Sequence, residues 1–510
     1  MSAWTARRAA ALTVAAIAVA ATALRLYHLT APSLWMDEGG SLRESNGATF
    51  WAALSHLAHM SAGDHFQPLY FVLLYPWRAI AGSSSFSLRI LSVLFALAAL
   101  AVIAVTAERV FGRRHALITA TLVAVSAFFV LHAQEARPYA LLLFLGALLI
   151  LLFVRVREER LQRAYPPAAW AFWACFGVGA FASVTFAIMA AGLALGDVLV
   201  DRHPRRWLRT WLPCAAAALP SLGFYLVSRA ATHPQDAGVT ALSGSLLRNA
   251  VFAVYGIVAG TTYGPPLEQL HGPGAAHLVL SYWPSLLVLA AATAIALVAV
   301  LLAVRRGALS ADERSVSLIL LIAFLTSYAL MFVFAFATQM NWQPRHSYFL
   351  ALPLFLLLPL ATRGRRDGSH TLWQILGYAA LGVIVLANLY SLGHYYWDGA
   401  YARDDYRAVA RYVNADEDAG RRSVLLSGFP VLLRYYDDRE TIDGTEVPQD
   451  RLAEEIRSVT GGAPRVLLIS NREWANWRQP ETIVQAMSAD YRFEGSVRFA
   501  YFTLYRFALR

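Results

Sequence analysis

The sequence predicts a polytopic α-helical membrane protein with a small α/β domain at its C-terminal end. Hydrophobic residues make up 58% of the 510 residues and charged residues only 15%, whereas soluble domains have about 45–50% and about 25%. Apolar stretches long enough to cross about 30 Å of hydrocarbon recur along the chain. Near residue 394 the composition changes. The long apolar stretches end, acidic residues become frequent, and short strand-like runs alternate with helical patterns.

Eleven apolar stretches are predicted to span the membrane. The first could also be a cleaved signal peptide, but its removal would leave the outer loop at 28–66 without an anchor, so we interpret it as a span. Two further stretches, 68–82 and 247–262, are short and interrupted, and each contains an Arg. The predicted spans are 8–27, 88–107, 115–133, 138–154, 167–183, 186–200, 208–228, 277–303, 315–338, 347–361 and 372–392.

The distribution of arginine predicts the orientation. With eleven spans, most loop arginines fall on the side of the N-terminus, which the positive-inside rule makes cytoplasmic. Because eleven is odd, the C-terminus is then outside. The same asymmetry favours 68–82 and 247–262 as juxtamembrane or re-entrant helices on the outer side. We interpret the inner arginines as topology determinants; they cluster at 109–114, 155–163, 202–209 and 363–366.

Two other features exclude common classes of function. The net charge of +10 would suit a nucleic-acid-binding protein, but the basic residues are dispersed in short loops between apolar stretches, so we predict no nucleic-acid partner. The two cysteines, Cys175 and Cys214, both lie inside apolar segments. This placement predicts neither a disulfide framework nor a zinc site.

The C-terminal segment is predicted to be a separate domain, so that residues 1–393 form the membrane module and 394–510 an extracytoplasmic α/β domain. Residues 394–510 contain 16 Arg and 18 acidic residues. Strand-like runs alternate with helical patterns there, as in small α/β domains. The strand-like runs are 423–427, 465–470 and 496–509, and the helical patterns are 404–416 and 449–459.

The strongest candidate site is LWMDEGGSLRES (34–45), which follows the first span and contains Asp37, Glu38 and Arg43. A carboxylate in a partly desolvated pocket can act as a general base toward a hydroxyl. Gly39 and Gly40 would allow a close backbone approach. The alternative interpretation is a helix N-terminus whose acidic residues complement the helix dipole.

Three more polar clusters lie on the same predicted side. Arginine suits phosphate oxygens, so the shared location predicts a substrate with an anionic head and a lipid tail. The alternative interpretation is that these residues are interfacial anchors, helix caps or snorkelling arginines. The candidate substrate-binding residues are His65, Gln67 and Tyr70 in 63–77, Glu135, Arg137 and Tyr139 in 132–143, and Arg345, His346 and Tyr348 in 339–353.

The ordered motifs WMDE, HFQPLYFVLLYPW, FGRRHAL, QEARPYALL and PRHSYFLALP resemble family-39-type glycosyltransferases of the GT-C superfamily. This group includes protein O-mannosyltransferases and lipid A aminoarabinose transferases. The resemblance covers roughly residues 1–395. It implies a GT-C membrane module with outer juxtamembrane helices and an extracytoplasmic C-terminal domain. It also implies a polyprenyl-phosphate-linked sugar donor and inversion at the anomeric carbon. The expected location is the cell (inner) membrane.

The resemblance also implies roles for residues. Asp37 matches the catalytic base of the family, and Arg137 and Arg345 match positions where cationic residues meet the donor phosphate. Phe66-Gln67-Pro68 stands where relatives have His-Pro-Pro or a Lys before the Pro, so the acceptor stays open among a lipid, a glycan and a protein hydroxyl. No cofactor is required, although Glu38 or Glu135 together with His65 could hold a divalent metal.

Two alternative functions were weighed against transfer. A transporter or flippase of lipid-linked sugars would place ionisable residues near the midplane and show internal repeats. A structural membrane protein would not explain the two adjacent carboxylates at 37 and 38. Because the charged clusters lie at span ends on one side, the sequence favours a transferase.

Overall fold

The computed structural model describes residues 3–58, 67–231, 246–270, 274–305, 308–338, 340, 342–364, 372–415, 421–436, 441–445, 447, 450–471 and 480–510. The chain divides into two compact units. The first, here the membrane unit, comprises Met1–Leu29, Glu44–Gly264 and Ser281–Gly393, and the second comprises Thr30–Arg43, Pro265–Leu280 and His394–Arg510. The second unit therefore contains two segments from earlier in the chain besides its C-terminal part.

Helices fill the described part of the chain up to residue 401, in keeping with its apolar composition. Three short 3-10 helices accompany the α-helices, at Pro344–Ser347, Leu358–Thr362 and Gly399–Tyr401. The α-helices are α1 (Ala3–Leu26), α2 (Met36–Glu44), α3 (Phe50–Ala58), α4 (Pro68–Ala81), α5 (Ser85–Phe111), α6 (Arg113–Val125), α7 (Ala127–Ala133), α8 (Tyr139–Glu159), α9 (Pro167–Ala182), α10 (Phe186–Asp201), α11 (Pro204–Ala217), α12 (Leu219–Ala231), α13 (Leu246–Ala259), α14 (Leu267–Leu270), α15 (Ala275–Ser281), α16 (Trp283–Arg305), α17 (Ala311–Thr338), α18 (Tyr348–Leu357) and α19 (Leu372–Trp397).

Within the described ranges, seven helical segments are long and apolar enough to cross a bilayer, or eight if the bent pair α6–α7 is one span. Three shorter apolar helices accompany them, in α1, α9 and α13. The two ambiguous stretches form α4 and α13, each of 14 residues, or about 21 Å at 1.5 Å per residue. This length is short for a spanning helix. The total of eleven spans stays a prediction.

The predicted span at 115–133 is broken into two helices, which form either one bent span or a re-entrant loop. The helix breaks at Ser126, and its two parts, α6 and α7, are bent by 58°. The physical reason is a buried polar contact from another helix: the Ala127 N–H donates to Asn388 Oδ1 at 2.8 Å. Asn388 Nδ2 in turn donates to the Val258 carbonyl at 2.7 Å. Asn388 thus satisfies the Ala127 N–H that the break leaves without an intrahelical partner, and it links this break to the end of α13.

Close helix packing in the membrane unit depends on small residues. On α10, Gly192 and Gly196 face α17, and a Cβ at either position would lie within 2.8 Å of a carbonyl oxygen of Ala323 or Ile319. Small residues four apart let two membrane helices approach closely. A larger side chain at Gly192 or Gly196 would push α10 and α17 apart.

The C-terminal part of the second unit is a five-stranded sheet with helices. Its strand order is β2-β1-β3-β5-β4, with β1 parallel to β2 and β3, and β5 antiparallel to β3 and β4. A buried apolar core joins the sheet to its helices, and includes Val424, Ile456, Leu468 and Phe507. The elements are α20 (Tyr406–Ala415), β1 (Arg421–Ser427), α21 (Pro430–Tyr436), β2 (Ile442–Asp443), α22 (Leu452–Val459), β3 (Arg465–Asn471), α23 (Pro480–Met487), β4 (Tyr491–Phe499) and β5 (Phe502–Leu509).

The predicted helices at 404–416 and 449–459 are confirmed as α20 and α22, and the strands at 423–427 and 465–470 as β1 and β3. The single strand-like run predicted at 496–509 is wrong. It contains the end of β4 and the whole of β5, which pair antiparallel. Tyr501 has a φ of 61°, and this left-handed residue reverses the chain between the two strands.

Candidate functional site

Arg137 lies in a buried setting inside the membrane unit. It sits in the turn between α7 and α8, and is only 6% exposed. Its guanidinium carbon is 5.9 Å from the centre of the Phe71 ring and 6.0 Å from that of Tyr139. Two aromatic rings within cation–π distance fix the plane of the guanidinium and limit its contact with water. The side chain is therefore oriented as well as charged.

A histidine–carboxylate pair adjoins Arg137. His132 Nδ1 is 3.2 Å from Glu135 Oε2, and both residues are buried. The Tyr139 ring packs against the His132 imidazole with 5.0 Å between ring centres. Sequence reasoning singled out Glu135 and Tyr139 but gave His132 no role. Its position three residues before Glu135 was the available signal, since residues three apart meet on one face of a helix.

Arg345 and His346 belong to the same region. Both lie in the 3-10 helix Pro344–Ser347, and the His346 imidazole lies within electrostatic range of Arg345, Arg137 and His132. The Gln343 N–H donates to His346 Nδ1 at 3.2 Å. The neutral imidazole consequently carries its proton on Nε2, which can act as a hydrogen-bond donor. We refer to His132, Glu135, Arg137, Arg345 and His346 as the basic cluster.

The 3-10 helix is positioned by close packing on α13. A Cβ on Gly256 would lie 2.4 Å from Pro344 Cγ, so only glycine fits at this contact. Trp342 Nε1 donates a buried hydrogen bond to Ser347 Oγ at 2.6 Å, at the end of the 3-10 helix. The first contact joins residues distant in sequence and the second is local, and together they hold Arg345 and His346 at a defined place in the membrane unit.

Two predicted substrate-binding tyrosines are buried in the packing. Tyr70 is 0% exposed, and its hydroxyl is 3.2 Å from Ser92 Oγ, which lies 3.5 Å from the Arg137 carbonyl. Tyr348 is 1% exposed, with its hydroxyl 3.3 Å from Thr185 Oγ1. In this conformation Tyr70 supports the backbone of Arg137, and Tyr348 anchors the start of α18.

Gln67 marks the start of α4. Its Oε1 is buried and has no hydrogen-bond partner within the described ranges. Gln67 precedes Phe71 by four residues, so the two share a helix face, and Phe71 contacts the Arg137 guanidinium. Burying a hydrogen-bond acceptor without a partner costs free energy. Gln67 Oε1 is therefore a candidate to accept a hydrogen bond from a hydroxyl group of the sugar donor. His65 lies outside the described residues.

The predicted carboxylates lie in the second unit and differ in accessibility. Glu38 is 0% exposed, and its Oε2 accepts a hydrogen bond from the Trp35 N–H at 3.3 Å. Asp37 is half-buried. Both stand in the first turn of α2, as the helix-terminus interpretation expected. Of the two, Asp37 is the one whose carboxylate a substrate can reach.

The backbone before α2 is held by residues from the far end of the chain. Asp404 is 2% exposed, and its Oδ2 accepts from the Met36 N–H at 3.4 Å. The Leu34 N–H donates to the Tyr436 hydroxyl at 2.9 Å. Arg407 donates to the carbonyls of Ala31 and Thr30 at 3.2 and 3.1 Å. No local pattern could reveal these partners, because they are about 370–400 residues away in sequence.

Arg43 and Gly39 complete the α2 region. The Arg43 guanidinium carbon lies 5.7 Å from the centre of the Phe429 ring, so this predicted substrate contact is in part a cation–π contact within the second unit. A Cβ on Gly39 would lie 2.8 Å from Leu432 Cγ. The predicted close approach at Gly39 is therefore present, and it is made by the α21 side chain.

Replacing Arg407 with Gln is expected to loosen the segment before α2. The variant loses two hydrogen bonds to backbone carbonyls. A loss of about 1 kcal/mol would increase amide exchange roughly fivefold. Hydrogen–deuterium exchange at the amides of Leu34 and Met36 measures the effect. Arg411→Gln is the matched control, because Arg411 is exposed on the same helix. Equal exchange in both variants would mean that Arg407 does not hold the segment.

Comparison with known proteins finds one matching family over part of the chain and several solved structures with a similar fold. Residues 66–229 match the family of dolichyl-phosphate-mannose-protein mannosyltransferases. ArnT from Cupriavidus metallidurans is similar in structure, with a TM-score of 0.58 at 14% identity over 98% of both chains in the apo state. Its complex with undecaprenyl phosphate gives 0.57 at 13% identity over 97% of both chains.

A third similar structure is the oligosaccharyltransferase of Archaeoglobus fulgidus in complex with zinc and sulfate. Its TM-score is 0.51 at 13% identity, over 96% of this chain and 73% of that one. No curated protein matches the chain in sequence. What the chain shares with these structures is its fold. The chain is a polytopic membrane protein with the GT-C fold and a small C-terminal sheet domain.

Proposed function

We propose that the chain is a membrane glycosyltransferase that moves a sugar from a polyprenyl-phosphate donor to a hydroxyl acceptor, with inversion at the anomeric carbon. The observation that carries the proposal is the basic cluster, in which the buried Arg137 is bracketed by Phe71 and Tyr139 and accompanied by Arg345 and His346. Arg137, a buried cation just before the N-terminus of α8, together with Arg345 suits a phosphate attached to a lipid.

The basic cluster would bind the leaving phosphate. When the bond between the anomeric carbon and the phosphate oxygen breaks, its electron pair stays on the phosphate, whose negative charge increases. Arg137 and Arg345 would stabilise that charge, and His346 Nε2 would donate a further hydrogen bond. Because packing fixes these hydrogen-bonding side chains before the polyprenyl-phosphate sugar binds, little reorganisation is needed during the reaction.

Asp37 would act as the general base. The acceptor oxygen forms a bond to the anomeric carbon from the face opposite the leaving phosphate, and its proton passes to the Asp37 carboxylate. Glu38 supports the turn from which Asp37 projects, through the Trp35 N–H. Nothing in this scheme requires a metal ion, and the alternative metal ligands include His65, which lies outside the described residues.

Two comparisons support a lipid-linked donor. ArnT, which shares the fold over almost the whole chain, has been crystallised with undecaprenyl phosphate. The family matched by residues 66–229 is named for dolichyl-phosphate-mannose. The acceptor class stays open among lipids, glycans and protein hydroxyls. We place the protein in the cell (inner) membrane, with the N-terminus cytoplasmic and the site and C-terminal domain outside.

A donor-consumption assay in detergent tests the proposal. The purified full chain is mixed with labelled polyprenyl-phosphate hexoses and pentoses and with envelope extract, and release of free polyprenyl phosphate is measured. A micelle has no second compartment, so a flippase would leave the donor unchanged. Transfer of label to an acceptor is the expected result. Movement of the donor across vesicles without its consumption would instead establish a flippase.

A further inference from the structure

A basic pocket lies in the membrane unit, at the other end of α8 from the basic cluster. Its cavity volume is about 20 Å³. Its lining combines three arginines with an apolar wall. The arginines are Arg160, Arg206 and Arg209, and the wall includes Val156, Ala169 and Trp173. We call it the α8–α11 pocket.

The charge in this pocket is not balanced by its acidic neighbours. Asp197, which is buried, binds Arg157 at 2.6 Å and Arg160 at 2.7 Å. Arg160 also binds Asp201 at 3.0 Å. Arg206 and Arg209 contact no acidic side chain in the part of the chain that the structure describes. Glu159, which accepts from the Ala168 N–H beside the lining, pairs with Arg155 at 3.8 Å. Five arginines against three acidic residues leave a net charge of +2.

The ion-pair network makes the pocket rigid. Trp211 Nε1 donates to Asp197 Oδ2 at 3.1 Å, and Arg160 donates to Thr210 Oγ1 at 3.1 Å. The indole of Trp173 donates to the Thr210 carbonyl at 2.9 Å. Helix α11, which carries Arg206 and Arg209, is thus fixed to its neighbours through Thr210 and Trp211.

The position of the pocket points to the lipid headgroup region. Helix α8 has 21 residues, so its two ends lie about 30 Å apart, which is the thickness of the hydrocarbon core. Trp170 and Tyr165, both exposed, make edge-to-face contacts with Trp173, with ring centres 5.0 and 6.4 Å away. Such aromatic groups are typical of the membrane–water interface. The pocket therefore lies at the bilayer surface opposite the basic cluster.

We propose that the α8–α11 pocket binds the phosphate of an anionic phospholipid in the leaflet opposite the basic cluster. Arg206 and Arg209 would contact the phosphate oxygens, for which guanidinium groups are suited. The apolar wall would accept the glycerol and the first methylene groups. Basic pockets between membrane helices are known sites for anionic headgroups. This inference rests on the membrane fold and is independent of glycosyl transfer.

Lipid retention by the full-length protein tests the inference. Detergent-purified protein is incubated with phosphatidylglycerol or with phosphatidylcholine of the same acyl chains, and bound lipid is counted by native mass spectrometry. The expected result is selective retention of phosphatidylglycerol. The double variant Arg206→Gln/Arg209→Gln should weaken it by about tenfold or more, since each arginine near the surface contributes to anionic-lipid binding.

The control is Arg305→Gln, an exposed arginine at the end of α16, which should retain the lipid as the parent does. Thermal unfolding with and without phosphatidylglycerol gives a second readout, because a bound lipid stabilises the folded state. Equal retention by the double variant would overturn the proposal. Equal protection by inorganic phosphate or glycerol 3-phosphate would assign the pocket to a free anion and overturn the lipid assignment.

Discussion

Replacing Asp37 with Asn is expected to lower turnover by roughly 10²–10⁴, with donor binding nearly unchanged. The Asn amide keeps the shape of the side chain but cannot take the proton from the hydroxyl group of the acceptor substrate. Asp37 is half-buried at the first turn of α2, so the change should leave the fold intact. Turnover at saturating donor and the donor dissociation constant, measured on purified protein, separate the two effects.

Asp398→Asn is a matched control for Asp37→Asn. Asp398 is also a carboxylate in the second unit, but it is exposed and accepts a hydrogen bond from the Ala400 N–H at 2.9 Å, which Asn can also accept. The Asp398→Asn variant should show the turnover of the parent protein. Near-normal turnover by Asp37→Asn would move the base role to Glu38 or Glu135. Failure of both variants to consume donor, with active parent protein, would point to a general effect of handling.

Replacing Arg137 with Ala is expected to weaken donor binding by about tenfold or more. A charge-assisted hydrogen bond to phosphate contributes about 1.5–3 kcal/mol. If the contact tightens as the phosphate leaves, the loss appears in turnover instead. Lys should restore only part of the effect, because its ammonium lacks the planar fork that Phe71 and Tyr139 orient. Arg345→Ala should likewise weaken donor binding or lower turnover.

The control for Arg137 is another buried arginine with a structural contact. Arg89 is 3% exposed and donates to the Leu29 carbonyl at 2.8 Å. Arg89→Lys should lower the yield of folded protein but leave the kinetics per folded molecule unchanged. If Arg137→Ala behaves like Arg89→Lys, Arg137 is a packing residue and the phosphate requires another partner.

The sequence singled out candidate residues but not their surroundings. Arg137, Arg345 and His346 were each chosen from separate motifs, and the structure brings them into one region. Tyr70 and Tyr348 were chosen from the same motifs, yet both are buried in helix packing. A motif specifies which residues are near the site, but whether a side chain faces a cavity depends on helices that are remote in sequence.

The sequence by itself determined the membrane fold, the helix-rich architecture up to residue 393 and most of the α/β elements after it. These properties follow from composition and local periodicity, which each segment carries on its own. Only the tertiary structure decided where helices break and which side chains hold the site. The break at Ser126 depends on Asn388, 261 residues after its partner Ala127, and the segment before Asp37 depends on Asp404 and Arg407. Such contacts arise when distant elements pack, so no local pattern encodes them.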